Sequence, residues 1–391
     1  MGEVRIGIVG LGTIGRTHCG YMRELVGGRL SAVCDTDVRR IDKARSDSSI
    51  RFGAEVAAFS DYRKMIRSGT IDLLMVCVPH LLHAEITVDA MRQGLHVICE
   101  KPLAPTAEVA KRVIEVHKEC GGSFSVMLQE RASEVNIGLR NLVRNGVLGG
   151  VRRINWISTD WFRTQFYYRA EPWRGSWNRE GGGVLINQSL HDLDLFQWLF
   201  GRPSIISAMV YLGKWHDITV EDEVAVSAEM ENGAHATLSI SSGDFPPTSR
   251  LEILCDKGKI IYEKGKAMLL LEPKRPIQEI IDRSSELFYT EKCEAKSIDL
   301  KEDSRKHQKI TQSVVNGIRK VGEPLTLGEE GLDSVQLANT ILYAGLTGLR
   351  VKYPVSDEVF SAFHRRLCED ESRGLDLRQS KTIDHERHVG E

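Results

Sequence analysis

The sequence predicts an α/β protein of two domains: a doubly wound parallel sheet, then a second α/β domain with a large, mostly antiparallel open sheet. Three observations support this prediction. The chain has 391 residues, more than one hydrophobic core usually holds. Up to residue 128, apolar strands alternate with helices, which is typical of a parallel sheet. Beyond residue 129, strands follow one another through tight turns, which favours antiparallel pairing.

The first strand leads directly into a glycine-rich turn. Residues 4–9 form an apolar run of the kind that is buried on both faces of a sheet. Gly10, Gly12 and Gly15 then follow at the spacing of a dinucleotide-binding fingerprint. Such glycines allow a tight turn, close approach of a pyrophosphate and close packing of the next helix. The helix that begins near Thr13 directs its amides and its positive dipole end at the phosphates.

An acidic residue follows the second strand at the distance expected for ribose recognition. Residues 30–34 are apolar, and Asp35 comes twenty residues after Gly15. A carboxylate there accepts hydrogen bonds from the ribose hydroxyls and repels a 2′-phosphate. We therefore predict NAD as the cofactor and NADP as the less favoured one, although Arg39 and Arg40 lie close to the acid. A packing turn with a surface acid is the alternative interpretation.

The first domain, a Rossmann domain assigned to residues 1–128, continues this alternation. Helices are predicted over 38–44, 62–67, 83–93 and 106–120, and strands over 73–78, 96–99 and 124–128. Ligands of doubly wound sheets bind beyond the carboxyl ends of the strands. His80, Glu100 and Lys101 all follow such strand ends, so we expect them near the cofactor.

The second domain is assigned to residues 129–368 and to substrate binding. An aromatic, glycine-rich segment at 160–183 precedes a helix predicted over 184–200, which carries His191. Further helices are predicted over 136–145, 304–320 and 329–349, and strands over 151–159, 205–212, 223–230, 234–241, 250–255 and 259–262. The charged residues 369–391 are predicted to form a disordered tail.

Composition and charge exclude several classes of protein. A formal net charge of −2 and a pI near 6.7 argue against a nucleic-acid or membrane-surface partner. No apolar run reaches the about 18 residues of a membrane span, and the first strand begins too early for a signal peptide, so we expect a cytoplasmic protein. The eight cysteines are scattered singly, which predicts reduced structural thiols and no metal site.

Three stretches together resemble the Gfo/Idh/MocA oxidoreductases: the fingerprint with Asp35, the Glu100-Lys101-Pro102 step, and GGGVLINQSLHDLD at 181–194. The resemblance covers about residues 4–355. It implies a Rossmann domain, then a mostly antiparallel domain whose open sheet often mediates oligomers, so a dimer or tetramer is expected. It also implies that Lys101 and His191 carry the chemistry and that position 187 contacts the substrate. The aromatic segment resembles the branch that acts on pyranosides, including enzymes that oxidise a glycoside at carbon 3.

The chemistry of alcohol oxidation fits these residues. Hydride leaves a carbinol carbon only if a base takes the alcohol proton, and a histidine such as His191 suits that role. Lys101, beside a positive nicotinamide, can hydrogen-bond the reacting oxygen or share in the proton transfer. Many family members have Asp where Asn187 stands; an amide cannot take the proton, so we predict that Asn187 positions substrate. A solvated lysine and a satisfied core histidine are the structural alternatives.

The remaining candidates contact either cofactor or substrate. For the cofactor they are Gly10, Gly12, Thr13, Ile14, Gly15, Asp35, Pro79, His80, His83, Glu100, Lys101 and Gln129. For the substrate they are Asn187, Arg131, Trp161, Tyr167 and Trp173, with Tyr168 and Trp177 as further aromatics for stacking on a sugar. Core packing for the aromatics, helix capping for the histidines, and an interdomain salt bridge for Arg131 remain alternatives. Asp192 and Asp194 are interpreted as structural.

The sequence thus predicts an NAD-dependent dehydrogenase that acts on a secondary hydroxyl of a sugar, a glycoside (at carbon 3) or a cyclic polyol. An inositol dehydrogenase and a dihydrodiol dehydrogenase are narrower alternatives. A non-catalytic sensor of NAD or a sugar is the alternative from another class. Lys101 and His191 favour the enzyme, because a sensor needs no base at a reacting carbon.

Overall fold

The computed structural model describes residues 2–47, 50, 55–300 and 303–379. They form two compact units. The first, here called the Rossmann unit, lies within Met1–Ala132, Arg179–Gly181 and Ser304–Val335. The second, the sheet unit, lies within Ser133–Asn178, Gly182–Asp303 and Gln336–Glu391.

The strands are β1 Val4–Val9, β2 Gly28–Cys34, β3 Ala57–Phe59, β4 Leu73–Val76, β5 His96–Cys99, β6 Phe124–Val126, β7 Val151–Ser158, β8 Pro203–Leu212, β9 Glu221–Met230, β10 His235–Ser241, β11 Ser249–Cys255, β12 Gly258–Glu263, β13 Met268–Glu272, β14 Glu294–Ile298 and β15 Val351–Lys352. The helices are α1 Thr13–Tyr21, α2 Val38–Ser46, α3 Tyr62–Arg67, α4 His83–Arg92, α5 Ala107–Cys120, α6 Glu134–Arg144, α7 Gln165–Ala170, α8 Leu190–Phe200, α9 Ile277–Arg283, α10 Lys306–Ile318, α11 Gly331–Thr347 and α12 Asp357–Ser372.

Over the described residues, the sheet of the Rossmann unit has six parallel strands in the order β3-β2-β1-β4-β5-β6. This is the strand order of a dinucleotide-binding fold, and it confirms the predicted doubly wound sheet. The central strands are mostly apolar because both faces of the sheet pack in hydrophobic cores: Ile6, Ile8, Leu73 and Leu74 are fully buried. The order changes direction between β1 and β4, so their carboxyl ends form the crevice where ligands of this fold bind.

Helix α10 belongs to the Rossmann unit, although the predicted domain boundary placed it in the second domain. Its residues Ile310, Val314 and Val315 are fully buried in the same core cluster as Ile6 and Ile8. The boundary was wrong here because the sequence of an amphipathic helix does not specify which apolar surface the helix covers. This helix covers the sheet of the Rossmann unit, to which β1 belongs.

The described residues of the sheet unit form nine strands in the order β14-β13-β12-β11-β7-β10-β9-β8-β15. All described pairings in it are antiparallel except that of β7 with β10. The strands alternate buried and exposed side chains, so one face packs in a core that includes Phe196, Ile341 and Phe360. This confirms the predicted mostly antiparallel sheet. On the described part of the chain, no helix has the length and apolar character needed to cross a membrane.

The predicted disordered tail, residues 369–391, needs correction over its first part. Helix α12 continues to Ser372, and a short 3-10 helix follows at Leu377–Gln379. The Glu371 carboxylate accepts hydrogen bonds from Ser176 Oγ at 2.9 Å and from the amide of Trp177 at 3.0 Å. Burial raises the pKa of Glu371, but these bonds and that from Thr219 outweigh it and lower the pKa. Residues 380–391 lie outside the described residues.

Candidate active site

The glycine turn after β1 fits a bound dinucleotide. A Cβ atom at Gly10 would lie 2.2 Å from the carbonyl oxygen of Cys77, and one at Gly15 would lie 1.9 Å from that of Gly10, so the fold itself requires both glycines. Gly12 differs, because its Cβ would meet only Arg40 Nη1, at 3.6 Å. Packing therefore does not explain Gly12, whereas close approach of a ligand does.

The start of α1 fits a phosphate group. Gly12 is the N-cap residue, no side chain caps the helix, and the first turn contains no acidic residue. The first amides of a helix have no intrahelical acceptor and lie at the positive end of the helix dipole. The amides of Thr13 and Ile14 are therefore suitable donors to a pyrophosphate, as the sequence predicts.

Asp35 is fixed beside this turn. Its Oδ2 accepts a hydrogen bond from the amide of Leu11 at 2.8 Å, and its Oδ1 accepts one from the amide of Asp37 at 2.9 Å. The carboxylate is buried at the carboxyl end of β2. This placement suits recognition of a ribose and places negative charge where a 2′-phosphate would bind.

We expect the charge of Asp35 to set cofactor preference. Asp35→Asn keeps the size of the side chain but removes the repulsion of a 2′-phosphate, so the ratio of kcat/KM for NAD to that for NADP should fall by about 10- to 100-fold. The matched control is Asp37→Asn, because Asn also serves as an N-cap and α2 should be preserved. A wild-type enzyme that prefers NADP, or an unchanged ratio in Asp35→Asn, would contradict this role.

Glu100, which directly follows β5, lies in a buried polar network that the sequence did not reveal. Its Oε1 lies 2.7 Å from His18 Nε2, and its Oε2 accepts a bond from the amide of Lys101 at 3.3 Å. Tyr21 Oη contacts His18 Nδ1 and lies 2.9 Å from Thr311 Oγ1. Burial raises the pKa of Glu100, but the hydrogen bond and charge of His18 outweigh it and lower the pKa to about 2. The residue before Lys101 is thus an ionised carboxylate held by α1 and α10.

His307 on α10 packs edge-on against His18, with 5.5 Å between ring centroids. Burial lowers the pKa of His307 to about 4, against the opposing effect of Glu100. His307 is therefore harder to protonate in the folded protein than in the unfolded chain, where its pKa is near 6.5. The resulting contribution of His307 to the free energy of unfolding is fully present above pH 6.5 and is lost as the pH falls towards 4.

We therefore expect acid to destabilise the wild type more than a variant without this imidazole. Between pH 6.5 and 4, His307 should account for a loss of up to about 3 kcal/mol in unfolding free energy. His307→Gln should show a correspondingly smaller fall of the thermal unfolding midpoint over this range. The control is His235→Gln, at an exposed position on β10. Equal falls in His307→Gln and wild type would contradict the assignment.

The predicted cofactor residues His80 and His83 both lie buried after β4. His83 Nδ1 lies 2.6 Å from the carbonyl oxygen of Pro102, and Nε2 lies 2.8 Å from that of Val78. Burial lowers the pKa of His83, and a neutral imidazole donates from only one nitrogen. Because both ring nitrogens lie within hydrogen-bond distance of protein carbonyls, one of them that of Pro102, we propose that His83 positions the turn after Lys101. His80 Nδ1 lies 3.2 Å from the carbonyl oxygen of Glu180.

Gln129 and Arg131 lie in a short 3-10 helix, Gln129–Ala132, after β6. Both side chains are buried. The Arg131 guanidinium forms an ion pair with Glu330, whose Oε2 also accepts a hydrogen bond from the amide of Leu327 at 2.8 Å. The partner of Arg131 therefore belongs to the Rossmann unit itself.

In the sheet unit, Asn187 lies in a turn and not in the predicted helix over 184–200. Helix α8 begins at Leu190; before it, the amide of Ser189 bonds the carbonyl of Val184 at 2.8 Å, one residue further back than in an α-helix. The physical reason is Glu221, whose carboxylate accepts bonds from the amides of Gly183 at 2.9 Å and Leu185 at 3.0 Å and so fixes this turn. Asn187 and His191 therefore do not share a regular helix face.

His191 is buried in the first turn of α8, beside Trp161. Their ring centroids are 6.1 Å apart. Asp192 fixes the indole, since its Oδ2 accepts bonds from Trp161 Nε1 at 2.6 Å and from Ser158 Oγ at 2.7 Å. The structure thus brings together two predicted site residues and gives Asp192 the role of positioning one of them.

Asn187 contacts another predicted aromatic residue, Tyr167 on α7. Asn187 Nδ2 donates to Tyr167 Oη at 3.3 Å, and Gln188 Nε2 donates to the same oxygen at 3.2 Å. The Arg174 guanidinium lies 3.8 Å from the centroid of the Tyr167 ring and 5.3 Å from that of Trp173. Asn187, Tyr167 and Trp173 therefore form one cluster within the sheet unit.

Tyr168 and Trp177, the further aromatics predicted for stacking, belong to the core. Trp177 is fully buried, and its Nε1 donates to the carbonyl of Thr219 at 2.8 Å. Tyr168 is buried with its hydroxyl 3.1 Å from Ser242 Oγ. Their polar atoms are satisfied inside the unit, which leaves Trp161, Tyr167 and Trp173 as the aromatic candidates.

Comparison with known proteins identifies relatives of both units. A family model described as "Oxidoreductase family, NAD-binding Rossmann fold" matches residues 4–128, and one described as "GFO/IDH/MocA C-terminal domain" matches residues 137–261. D-glucoside 3-dehydrogenase from Escherichia coli (strain K12) is 26% identical over 369 residues, which cover 89% of this chain and 97% of the relative. Inositol 2-dehydrogenase from Rubrobacter xylanophilus is 30% identical over 199 residues, 50% of this chain and 52% of that protein.

Solved structures show the same architecture. The WlbA dehydrogenase from Bordetella pertussis, in complex with NADH and UDP-GlcNAcA, matches with a TM-score of 0.74 and 25% identity, covering 90% of this chain and 100% of that one. An aldose-aldose oxidoreductase from Caulobacter crescentus matches with a TM-score of 0.72 and 21% identity, covering 90% and 99% of the two chains. The predicted fold, NAD-binding domain and oxidoreductase class are thereby confirmed.

Proposed function

Because this chain belongs to the Gfo/Idh/MocA oxidoreductase family, we propose that it oxidises a secondary hydroxyl of a glycoside with NAD, at carbon 3 of a pyranoside ring. The observation that carries the proposal is the similarity to D-glucoside 3-dehydrogenase along almost the whole of both chains. The cluster of Asn187, Tyr167 and Trp173 supports it, since amide and aromatic groups together suit a sugar, which has hydroxyls on its edges and apolar faces.

In this proposal the chain supplies proton transfer, orientation and binding. Bound NAD supplies the acceptor for the hydride. Lys101, held next to ionised Glu100, donates a hydrogen bond to the reacting oxygen as negative charge develops there. His191 takes the hydroxyl proton. Asn187, with its Nδ2 directed to Tyr167, accepts a hydrogen bond from a substrate hydroxyl through Oδ1.

A substrate panel tests the proposal. NADH absorbance is followed with purified enzyme, NAD and, one at a time, hexoses, methyl glycosides and inositols. We expect the highest kcat/KM with a glycoside. A preference for an inositol would instead support the second candidate, a cyclic polyol dehydrogenase, which the partial similarity to inositol 2-dehydrogenase favours. NAD binding without turnover of any compound would reject both and favour a sensor.

We also propose a homo-oligomer formed through the open face of the nine-stranded sheet. Large apolar side chains on its strands remain exposed, among them Met209, Tyr211, Ile157 and Leu269. Apolar surface of this kind is typical of interfaces. Light scattering at micromolar concentration should report a multiple of the 43.8 kDa chain, and Met209→Lys should shift the distribution towards monomer. A monomeric wild type would contradict the proposal.

A further inference from the structure

Two arginine side chains next to the Tyr167 ring have no acidic partner among the described residues. Arg174 lies 3.8 Å and Arg163 lies 5.0 Å from the ring centroid, both measured from the guanidinium carbon. Among the described residues neither forms an ion pair; Arg163 Nη1 donates to the carbonyls of Trp161 and Phe162, and Arg174 Nη1 to that of Tyr167. Arg174 Nε is buried and has no hydrogen-bond acceptor among these residues.

Several other arginines in the described part of the chain do have an acidic partner. The buried Arg131 pairs with Glu330, Arg250 on β11 pairs with Glu252 at 2.7 Å, and Arg5 pairs with Asp72. Both Arg163 and Arg174 are half-buried, where a positive charge without a counter-charge is costly. Contact with an aromatic ring offsets only part of that cost.

The positive charge of these two arginines lies next to Tyr167, which contacts Asn187, the residue proposed to bind the substrate. Tyr167 Oη accepts the hydrogen bond from Asn187 Nδ2, so the ring that both guanidinium groups contact also orients the Asn187 amide. Guanidinium groups are matched in shape and charge to carboxylate and phosphate.

We propose that the preferred substrate carries an anionic group, a carboxylate or a phosphate, which Arg174 and Arg163 bind while Asn187 accepts a hydroxyl. This inference rests on the proposed function, since it names the substrate class of the same site. It predicts that a neutral glycoside is a poor substrate compared with an anionic one of the same ring.

Three probes separate the possibilities: neutral methyl β-D-glucopyranoside, methyl β-D-glucuronide with a carboxylate, and glucose 1-phosphate with a phosphate. The kcat/KM for each is measured with wild type, Arg174→Gln, Arg163→Gln and the control Arg250→Gln, which removes the same charge from strand β11. The dissociation constant of each probe is measured by calorimetry with NADH-loaded enzyme. Both are repeated at two salt concentrations.

We expect one anionic probe to exceed the neutral glucoside by about 10- to 100-fold in kcat/KM and in affinity, as charge-assisted pairs predict. Arg174→Gln should abolish most of that advantage, Arg163→Gln part of it and Arg250→Gln none, and added salt should reduce it. The anionic probe with the higher kcat/KM shows whether the substrate group is a carboxylate or a phosphate.

Two results would overturn the inference while leaving the dehydrogenase proposal intact. In the first, kcat/KM for the neutral glucoside equals or exceeds that for the anionic probes. In the second, a preference for an anionic probe persists in both Arg174→Gln and Arg163→Gln. Arginine-dependent binding of an anionic probe without turnover of any probe would uphold the inference and count against the dehydrogenase proposal. Binding of no anionic probe more tightly than the neutral one would overturn the inference whether or not turnover is seen.

Discussion

Lys101→Met is expected to lower kcat by about 10³-fold or more while leaving NAD affinity nearly unchanged. The side chain is proposed to donate to the reacting oxygen in the transition state, where loss of one such donor typically costs about 10²- to 10³-fold. Loss of its share in proton transfer adds to this. Methionine keeps most of the aliphatic stem, so packing next to the buried Glu100 should be preserved.

The control for this variant is Lys118→Met, at an exposed position near the end of α5 in the same unit. It should retain wild-type kcat. The preferred glycoside of the panel is used throughout, and NAD affinity is measured separately by calorimetry. A near-normal kcat in Lys101→Met would remove Lys101 from the chemistry and leave proton transfer to His191.

His191→Ala is expected to lower kcat by about 10²- to 10⁴-fold, the usual effect of removing a general base. Asn187→Ala should instead raise KM with little effect on kcat, because hydrogen bonds made equally in the ground state and the transition state contribute to binding alone. The two residues lie four apart in the chain, so this contrast separates a base from a positioning group within one short segment.

The control for His191→Ala is His235→Ala on the exposed side of β10. The pH profile of kcat gives an independent check, since removal of the base should abolish the acidic limb of the wild-type profile. A loss of kcat in Asn187→Ala as large as that in His191→Ala would show that the amide takes part in the transition state.

Features carried by local sequence were predictable. The Gly10 turn, the strand before it and Asp35 lie within one short segment whose spacing alone specifies a strand, a turn and a helix. The alternation of β9 and the turns between the central strands of the second sheet likewise predicted antiparallel pairing.

Features that depend on distant contacts were not predictable. Glu100 meets His18 across 82 positions of sequence, and no local pattern marks either as a network residue. The helix over 184–200 was predicted too long because its apolar pattern continues across Val184–Ile186, while Glu221 on β9 imposes a turn there. That Arg163 and Arg174 have no acidic partner in the described part of the chain likewise cannot be inferred from the sequence.

In the proposed reaction, hydride passes from carbon 3 of a glycoside to NAD. The most direct measurement uses the preferred glycoside of the panel with deuterium at carbon 3, followed by mass spectrometry of the reduced cofactor and of the sugar product. We expect NADH that contains one deuterium and a 3-keto product that contains none. Unlabelled NADH with deuterium retained in the oxidised sugar would contradict it.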